Sequence, residues 1–599
     1  MVASLSVSAQ SLGVVLAPSV AAPAPVGTLV GFTAIVSGGT GSLSYRFRIA
    51  RPDLPFRVIR DFSPSNQLNW TASLAEGTYQ IEVTARDNNT QSTAVSTLSY
   101  PFIPAVTGSD PVISPTANPL VFLYSAGVCA AGARMRVEFQ APGDAAHFTP
   151  YENCSPPCPA RRRIISSSSK HVARQGVPFS SCPAPTSMNF YLAGLRPNTT
   201  YTVNHVIESS NGEQAGPQLS LTIPSSQFTP PALTVSQPPP ATSTGLLLHS
   251  NLYGPSFATD LAGNLVWYYV TPITFLTQPE PGGRFLSLTW NPSGAPVDQI
   301  FREFDVAGTT LRETNAERIN EQLTALGVRN ITGFHHDARS LPGGGVVLLG
   351  STEQILTDVQ GPGAVDVIGD LIIALDQDLQ VVWTWDAFEH LDVHRMATLG
   401  ETCPGSGCPP YHLAAKANDW VHGNALQYLD DGNLLYSSRH QDWVMKLDYE
   451  DGKGNGDVLW RLGPDGDFQI ISSDPSPWFS HQHDPDFVPG DERVLTVYDD
   501  GNLREAVDPS AHSRGQVLLI DDKAMTATLT VNVDLGAFSF ALGSAQLLPD
   551  GNYQFGGGWI VPSNTSNTFE VDPSGNFLYS LHETIPEYRT YRIADLYNP

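Results

Sequence analysis

A glycine-containing turn followed by an alternating apolar strand recurs throughout the part of this 599-residue chain after residue 226. Copies include DLAGNLVWYYV, LPGGGVVLLG, LDDGNLLYSSR, LPDGNYQFGGGW and DPSGNFLYSLH. Turns of the Asp-Gly-Asn kind that lead into alternating strands indicate β-hairpins. Hairpins repeated over so long a stretch predict a β-propeller, and at roughly 45 to 60 residues per blade we expect six blades. A set of separate sandwiches is the alternative.

Two β-sandwich modules are expected before the propeller, which makes the predicted fold class all-β. In residues 1–105, VGTLVGFTAIVSGGTGSLSYRFRIA and EGTYQIEVTARDNN indicate alternating strands, and the pattern resembles immunoglobulin-like modules. In residues 106–226, the stretch GLRPNTTYTV resembles a fibronectin type III module. A Pro-, Ser- and Thr-rich linker, SSQFTPPALTVSQPPPATSTG, leads into the propeller, which we assign to residues 227–599.

The chain is acidic, with a formal net charge of −26 at pH 7 and a pI near 4.8. A negative surface repels nucleic acid and anionic membranes, so we expect neither as a partner. No run of eighteen apolar residues occurs, and therefore no membrane-spanning segment is expected. The oligomeric state is left open, a homo-oligomer included.

Six cysteines fall into two groups, Cys129, Cys154, Cys158 and Cys182, then Cys403 and Cys408. An even number of closely spaced cysteines in a lysine-poor chain indicates disulfides formed in an oxidising compartment. We therefore expect a secreted or periplasmic protein, although the first residues lack the features of a signal peptide. Zinc is the alternative for the first four, which contain no C-x2-C pair. The pairing among those four stays open.

Nine of the fifteen histidines lie between residues 335 and 483. Three phrases there, GFHHDARSLPGGGVVLL, NDWVHGNALQYLDDGNLLYSSRHQ and WFSHQHDPDFVPGDERVLTVYDDGN, each place a histidine before a strand, a turn and a second strand. Because equivalent positions of propeller blades point at one central channel, we expect His336, His422 and His483 to converge there. Each phrase also carries an acid that can orient an imidazole: Asp337, Asp419 and Asp484.

Imidazoles gathered in a channel can bind a transition metal, which is one interpretation. Arg439 argues against it, because a cation is destabilised beside a guanidinium. A guanidinium near two imidazoles and an amide is instead a set of donors suited to a sulfuryl or phosphoryl group. This set is Arg439, His336, His422 and Asn424. A neutral imidazole can attack such a group and form an N-linked intermediate, so one histidine of residues 481–483 is the candidate nucleophile.

The phrases FHHD, DWVHGN, SSRHQ and QHD with YDDGN resemble those of the bacterial arylsulfate sulfotransferases, a PAPS-independent family, over about residues 227–599. The resemblance implies an exported six-bladed propeller preceded by a β-sandwich domain. It also implies transfer of a sulfuryl group from a phenolic sulfate donor to a phenol acceptor, in a ping-pong cycle through a sulfohistidine. No cofactor and no metal at the site are expected.

The resemblance assigns roles by motif. It places the nucleophile at His483 and the groups that hold the sulfuryl oxygens at His336, His422, Asn424 and Arg439. A hydroxyl near the sulfuryl group falls on Ser544 in LGSAQLLPDGN, and a short-loop disulfide falls on the cysteines of CPGSGC, Cys403 and Cys408. Candidates for an aryl pocket, with buried core as the alternative, are Trp420, Trp478, Tyr498 and Trp559.

Other functions stay open at this point. One is a propeller that binds glycans or other extracellular ligands without catalysis, and another is a metal-dependent oxidoreductase or hydrolase. His390 and His394 have the i, i+4 spacing of a zinc pair, but no third ligand accompanies them, so a surface loop is favoured. Strand alternation predicts that at most one of His335 and His336 faces the channel.

Overall fold

The computed structural model describes residues 11–51, 54–154, 187–271, 273–291, 294–404 and 408–599. These residues form an all-β protein, which confirms the predicted class. Its α-helices are α1 (Ala316–Leu326), α2 (Ala387–His390) and α3 (Asn502–Glu505). Its 3-10 turns are Pro296–Asp298, Pro342–Gly344, Arg439–Gln441 and Glu450–Gly452. Within these ranges we find no helix with both the length and the apolar character needed to span a bilayer.

The first part of the chain forms two sheets around one core. Its strands are β1 (Gly13–Pro18), β2 (Ala24–Pro25), β3 (Val30–Ser37), β4 (Leu43–Ala50), β5 (Arg57–Ser63), β6 (Gln67–Trp70), β7 (Gly77–Asp87) and β8 (Thr93–Ile103). The sheet orders are β1-β3-β6 and β2-β8-β7-β4-β5. Tyr79, Ile81, Val83 and Ala85 alternate along β7 and all point into the core, as a strand with one buried face requires.

The second part also has two sheets. Its strands are β9 (Val112–Pro115), β10 (Phe122–Gly127), β11 (Arg134–Gln140), β12 (His147–Phe148), β13 (Glu152–Asn153), β14 (Ser187–Leu192), β15 (Thr200–Ser209), β16 (Gly212–Ala215) and β17 (Leu219–Thr222). One sheet has the order β14-β10-β9, and the other has β12-β11-β15-β16 with β13 and β17 at its edges. Cys129 and Cys154 form a disulfide, whereas Cys158 and Cys182 lie outside the described residues.

The rest of the chain forms six sheets. Its strands are β18 (Leu233–Gln237), β19 (Leu246–Asn251), β20 (Phe257–Asp260), β21 (Leu265–Tyr268), β22 (Phe275–Glu280), β23 (Arg284–Thr289), β24 (Ile300–Asp305), β25 (Thr310–Asn315), β26 (Gly333–Ser340), β27 (Val346–Thr357), β28 (Ala364–Leu375), β29 (Val381–Asp386), β30 (Thr402–Cys403), β31 (Ala417–Asp419), β32 (Gly423–Tyr428), β33 (Leu434–Ser438), β34 (Trp443–Leu447), β35 (Val458–Leu462), β36 (Gln469–Ile471), β37 (His483–Val488), β38 (Asp491–Asp499), β39 (Arg514–Asp521), β40 (Thr526–Asp534), β41 (Gly543–Leu547), β42 (Tyr553–Ile560), β43 (Thr565–Val571), β44 (Phe577–Glu583) and β45 (Glu587–Ile593). The orders are β45-β19-β20-β21, β22-β23-β24-β25, β26-β27-β28-β29, β32-β33-β34-β35, β37-β38-β39-β40 and β41-β42-β43-β44, with β18, β30, β31 and β36 at edges.

The recurring turn phrase forms the predicted hairpins. In LPDGN, Oδ1 of Asp550 accepts the backbone N–H of Asn552, and Gly551 takes a φ of 87° that side chains disfavour. Gly432 and Gly575, in the same position of their phrases, take the same left-handed conformation. One turn chemistry therefore recurs in three hairpins, two of the last sheet and one of the sheet β32-β33-β34-β35.

The number of sheets agrees with the six predicted blades. Strand β45 pairs with β19, and β18 pairs with β44, so strands from the two ends of this region complete its first and last sheets. The first strands of successive sheets contact one another. In the described residues the ladders do not join into one closed sheet, and the propeller arrangement and the two sandwich modules stay predictions.

Buried charges connect the first strands of three sheets. Nη2 of Arg589 on β45 lies 3.3 Å from Oδ2 of Asp337 on β26, and Nη1 lies 3.1 Å from Oδ1 of Asp484 on β37. Arg339 pairs with the same two carboxylates at 3.1 and 3.4 Å. Nη2 of Arg589 also donates to the carbonyl oxygen of Asn424 on β32. These side chains are buried, so each charge depends on the others for compensation.

Replacing Arg589 with methionine should destabilise the protein by about 3–5 kcal/mol, because two buried carboxylates lose a partner. Urea unfolding followed by tryptophan fluorescence measures the change. The matched control is Arg493→Met, which removes an exposed pair with Asp491 and should leave the midpoint unchanged. Equal midpoints for Arg589→Met and the wild type would contradict a structural role of the network.

Candidate active site

One cavity, with a volume of about 820 Å³, brings the predicted histidines together. Its polar wall consists of His335, His336, Glu401, Asp419, His422, Arg439, His440 and His483. Its apolar wall includes Leu252, Tyr253, Phe275, Trp290, Phe540, Leu542 and Trp559. The three histidines singled out from the repeat thus face one space, although they belong to three different sheets.

His483 begins strand β37 and is 1% exposed. Its Nδ1 lies 2.6 Å from Oδ2 of Asp500, and its Nε2 accepts the backbone N–H of Leu542 at 3.2 Å. Burial, and then the guanidinium of Arg439, hold the pKa of His483 well below its ordinary value, so the ring is neutral at pH 7. A neutral ring that accepts at Nε2 carries its proton on Nδ1 and donates it to Asp500. The lone pair therefore lies on Nε2, toward the wall residue Leu542.

His336 and its neighbour both reach the cavity, contrary to the expectation from strand alternation. His336 has a φ of 54°, and the register between β26 and β27 shifts between Phe334 and Ala338. Such a bulge breaks strict alternation. The Nδ1 atoms of His335 and His336 are 3.0 Å apart, and Nε2 of His335 lies 3.3 Å from Oδ1 of Asp370. Asp370, His335 and His336 thus form a chain of proton-binding groups that ends at the cavity.

His422 directly precedes β32 and has a φ of 46°. Its Nδ1 lies 2.6 Å from Oδ2 of Asp419, as predicted for the orienting acid. Its ring centroid is 4.9 Å from that of His336 and 4.5 Å from that of His440. Burial and the adjacent imidazoles, with His422 first among them, keep the pKa of His336 well below its ordinary value. The rings are therefore close enough to act on one small group.

The other two predicted orienting acids do not contact imidazoles. Asp337 and Asp484 join the buried network of Arg339 and Arg589 instead. The acid that contacts His483 is instead Asp500, the second aspartate of the phrase YDDGN. The sequence did not single it out. The structure thus confirms one of the three predicted contacts and replaces another.

Arg439 lies in the cavity wall and is 5% exposed. Its Nη1 donates to Nε2 of His440 at 2.7 Å, and its Nη2 donates to the carbonyl oxygen of Phe540 at 2.9 Å. Its Nε has no hydrogen-bond partner among the described residues. Burial lowers the pKa of Arg439, and the carboxylates of Asp500 and Glu401 oppose this effect. A buried guanidinium with an unused donor is suited to an incoming oxyanion.

The two remaining predicted substrate contacts lie outside the cavity lining. Nδ2 of Asn424 donates to the carbonyl oxygen of Gln482 at 2.7 Å, so this side chain supports the segment that carries His483. The hydroxyl of Ser544 donates to the carbonyl oxygen of Thr590 and accepts its N–H. Both side chains are buried. In the structure, Asn424 and Ser544 thus contact the protein's own backbone.

A disulfide joins Cys403 and Cys408, as the resemblance implied. Cys408 itself lines the cavity, together with Glu401, Thr402 and Pro409 from the flanking chain. Thr402 and Cys403 pair with strand β31, whose last residue is Asp419. The crosslink therefore fixes one side of the cavity wall beside the His422–Asp419 pair.

The aromatic residues of the wall differ from most of those predicted. Trp559 lines the cavity, but Trp420, Trp478 and Tyr498 pack in hydrophobic cores. Their places are taken by Tyr253, Phe275, Trp290 and Phe540, and Phe275 stacks on His336 with ring centroids 5.2 Å apart. The cavity thus combines a cluster of nitrogen donors with a flat apolar wall.

Two groups of possible metal ligands occur at this site, Glu401 with His440 and His481, and Asp419 with His422 and His440. Both need a lone pair from His440. Its Nδ1 contacts the carbonyl oxygen of Asp419 at 2.7 Å, and its Nε2 accepts from Arg439. Neither nitrogen is available, so these residues do not fit a metal. His390 and His394 belong to no such group among the described residues.

Comparison with protein-family models matches residues 232–589, more than half of the chain, to Arylsulfotransferase (ASST). Comparison with curated proteins gives no match. Similar solved structures include a protein of unknown function from Bacteroides caccae, 11% identical with a TM-score of 0.35 over 58% of this chain and 98% of that one. They also include the FN1–FN3 domains of chicken CNTN1, 12% identical with a TM-score of 0.13 over 34% of this chain and 64% of that one. The chain belongs to the arylsulfotransferase family and is a PAPS-independent arylsulfotransferase.

Proposed function

We propose that the enzyme moves a sulfuryl group from a phenolic sulfate ester to a phenolic acceptor through a sulfohistidine at His483. The observation that carries this proposal is the 2.6 Å contact between Nδ1 of His483 and Asp500, which leaves a lone pair on Nε2. Family membership supports aryl sulfotransfer in general. His422 has the same 2.6 Å contact with Asp419, so the choice of His483 over His422 rests on the motif QHD with YDDGN.

In the first half-reaction, Nε2 of His483 gives up the hydrogen bond from the Leu542 N–H and attacks sulfur in line with the ester oxygen. An N–S bond forms, the S–O bond to the aryl group breaks, and the phenolate leaves with the electron pair. Positive charge develops on the imidazole as the bond forms. The Asp500 carboxylate, which accepts the Nδ1 proton in a hydrogen bond, stabilises that charge.

The sulfuryl oxygens need donors, because their negative charge spreads in the transition state. Arg439 supplies a buried guanidinium with Nε unused, and His422 lies on the same cavity wall. In a cavity with little water such donors act more strongly than in solution. Local cationic and neutral donors are required here, since the chain as a whole carries a charge of −26 and repels anions.

In the second half-reaction, an acceptor phenol attacks the sulfur of the sulfohistidine. Its O–S bond forms, the N–S bond breaks, and the electron pair returns to Nε2 of His483. The phenol proton goes to His336, which is neutral because burial holds its pKa low. His335 and Asp370 stabilise the charge that this transfer creates. The proton leaves with a later phenolate or with solvent.

The aryl groups of donor and acceptor are assigned to the apolar wall. Phe275, Trp290, Phe540 and Trp559 present flat surfaces that can pack against a phenyl ring. A cavity with an apolar wall and a few polar groups is typical of small-molecule sites. Which phenols bind is set by this wall, since the sulfuryl group is common to all donors.

The architecture that we propose for this enzyme is a six-bladed propeller at residues 227–599, with β-sandwich modules at residues 1–105 and 106–226. Six successive sheets whose first strands contact one another support the propeller. Completion of the first sheet by the C-terminal strand supports it as well. The disulfides Cys129–Cys154 and Cys403–Cys408 support a secreted or periplasmic location, because such crosslinks persist in oxidising compartments.

Replacing His483 with asparagine should lower turnover of 4-nitrophenyl sulfate with phenol by roughly 10⁴-fold or more, because the nucleophile is lost. Peptide mapping by mass spectrometry, after alkaline quenching with donor alone, should find the sulfuryl group on His483 in the wild type. The control is His481→Asn, which lies two residues away, outside the cavity lining. Sulfuryl modification of His481, or full turnover in His483→Asn, would contradict the proposal.

Replacing Asp500 with asparagine should lower kcat by on the order of 10³- to 10⁴-fold. The amide can donate to Nδ1 of His483, which favours the tautomer with its proton on Nε2 and removes the attacking lone pair. Pre-steady-state release of 4-nitrophenol measures the first half-reaction directly. The matched control is Asp431→Asn, the same position of the other DDGN phrase, whose side chain is 43% exposed. Equal bursts in both variants would show that Asp500 does not set the tautomer.

A further inference from the structure

A second cluster of titratable side chains lies outside the active-site cavity. It consists of His249 on β19, Glu583 at the end of β44 and Glu587 at the start of β45. All three are at most 2% exposed. Nδ1 of His249 lies 2.9 Å from Oε1 of Glu587 and 3.5 Å from Oε2 of Glu583. Two carboxylates and an imidazole nitrogen thus converge on one point inside the protein.

Glu583 has His249 as its one charged partner among the described residues. Neither of its oxygens accepts a hydrogen bond among the described residues, although both are buried. Among the described residues no lysine or arginine pairs with Glu583 or Glu587, so His249 is the one basic group beside them. Buried carboxylates without compensation are costly. The two buried carboxylates therefore share His249 as their one basic partner.

Hydrogen bonds from neighbouring residues orient the side chains of this cluster, as is usual for metal ligands. Nε2 of His249 lies 3.1 Å from the hydroxyl oxygen of Thr259, which leaves Nδ1 directed at the two carboxylates. Thr590 donates to Oε2 of Glu587 at 2.8 Å, which leaves Oε1 directed at His249. Phe257 stacks on the imidazole, with ring centroids 4.4 Å apart. A ligating histidine typically uses its other ring nitrogen in such a supporting hydrogen bond.

We propose that His249, Glu583 and Glu587 bind a structural divalent metal ion of the zinc or manganese class. In a tetrahedral zinc site, with bonds near 2.0–2.2 Å, neighbouring ligand atoms are about 3.3 Å apart. The observed separations of 2.9 and 3.5 Å lie on either side of that value. One nitrogen and two carboxylates favour zinc or manganese over calcium, which prefers an all-oxygen set.

The position of the site gives the ion a structural role. Strand β19 lies near the beginning of the six-sheet region, and β44 and β45 are its last two strands. An ion held by all three would crosslink the first sheet to the last sheet. Because the ligands are brought together only by folding, metal binding would stabilise the folded state directly.

The test uses the full-length enzyme, purified without a polyhistidine tag. Elemental analysis should find one zinc or manganese ion per chain, and removing it with a chelator should lower the melting temperature. Adding back the same metal should restore that temperature. Glu583→Gln should lose both the metal and the response. The control Glu570→Gln, a buried glutamate on β43 paired with Arg592 at 2.6 Å, should keep both.

Two results would overturn the proposal. One is a wild-type protein that contains no metal and whose melting temperature does not rise with zinc or manganese. The other is retention of the metal by Glu583→Gln, which would place the ion elsewhere. If Glu583→Gln does not fold, Glu587→Gln and crystallographic anomalous scattering from the wild-type protein decide between the same outcomes. None of these readouts depends on sulfuryl transfer.

Discussion

Buried ion pairs between first strands hold together the sheets that carry the histidines. Arg589 contacts Asp337 and Asp484, and these are the residues that directly follow His336 and His483 in the chain. If one of these strands shifted its register, a buried charge would lose its partner, at a cost of several kcal/mol. The imidazoles of two different sheets are thus kept in position by the residue beside each of them. The chemistry of the site depends on this fixed spacing.

The site separates two roles among chemically identical side chains. His483 has a carboxylate on Nδ1, so its other nitrogen is set to attack. His336 has a second imidazole on Nδ1, with Asp370 behind it, so it can accept a proton and pass on the charge. Burial keeps the pKa of both histidines low, and both are therefore neutral at pH 7. Arg439 supplies the positive charge that a sulfuryl group requires.

The sequence predicts the features that recur in every hairpin phrase and misses those that are specific to one phrase. The three histidines were predicted because each precedes a strand in a recurring phrase. Asp500 was missed because DDGN occurs twice, as an exposed turn at Asp431 and as a buried one at Asp500, and the letters are the same. Ser544 was predicted by motif, yet its hydroxyl bonds the backbone of Thr590 instead. Burial decides the case of Asp500 and a backbone hydrogen bond decides that of Ser544, and the residue types alone reveal neither.

The stereochemical course at sulfur tests the central claim most directly. A phenyl sulfate whose three terminal oxygens are three different isotopes makes the sulfur chiral, and the configuration of the product ester is then measured. Each in-line displacement inverts sulfur, so transfer to His483 and then to the acceptor gives net retention. Inversion would mean that the phenol attacks the donor ester directly, and His483 would not be the nucleophile.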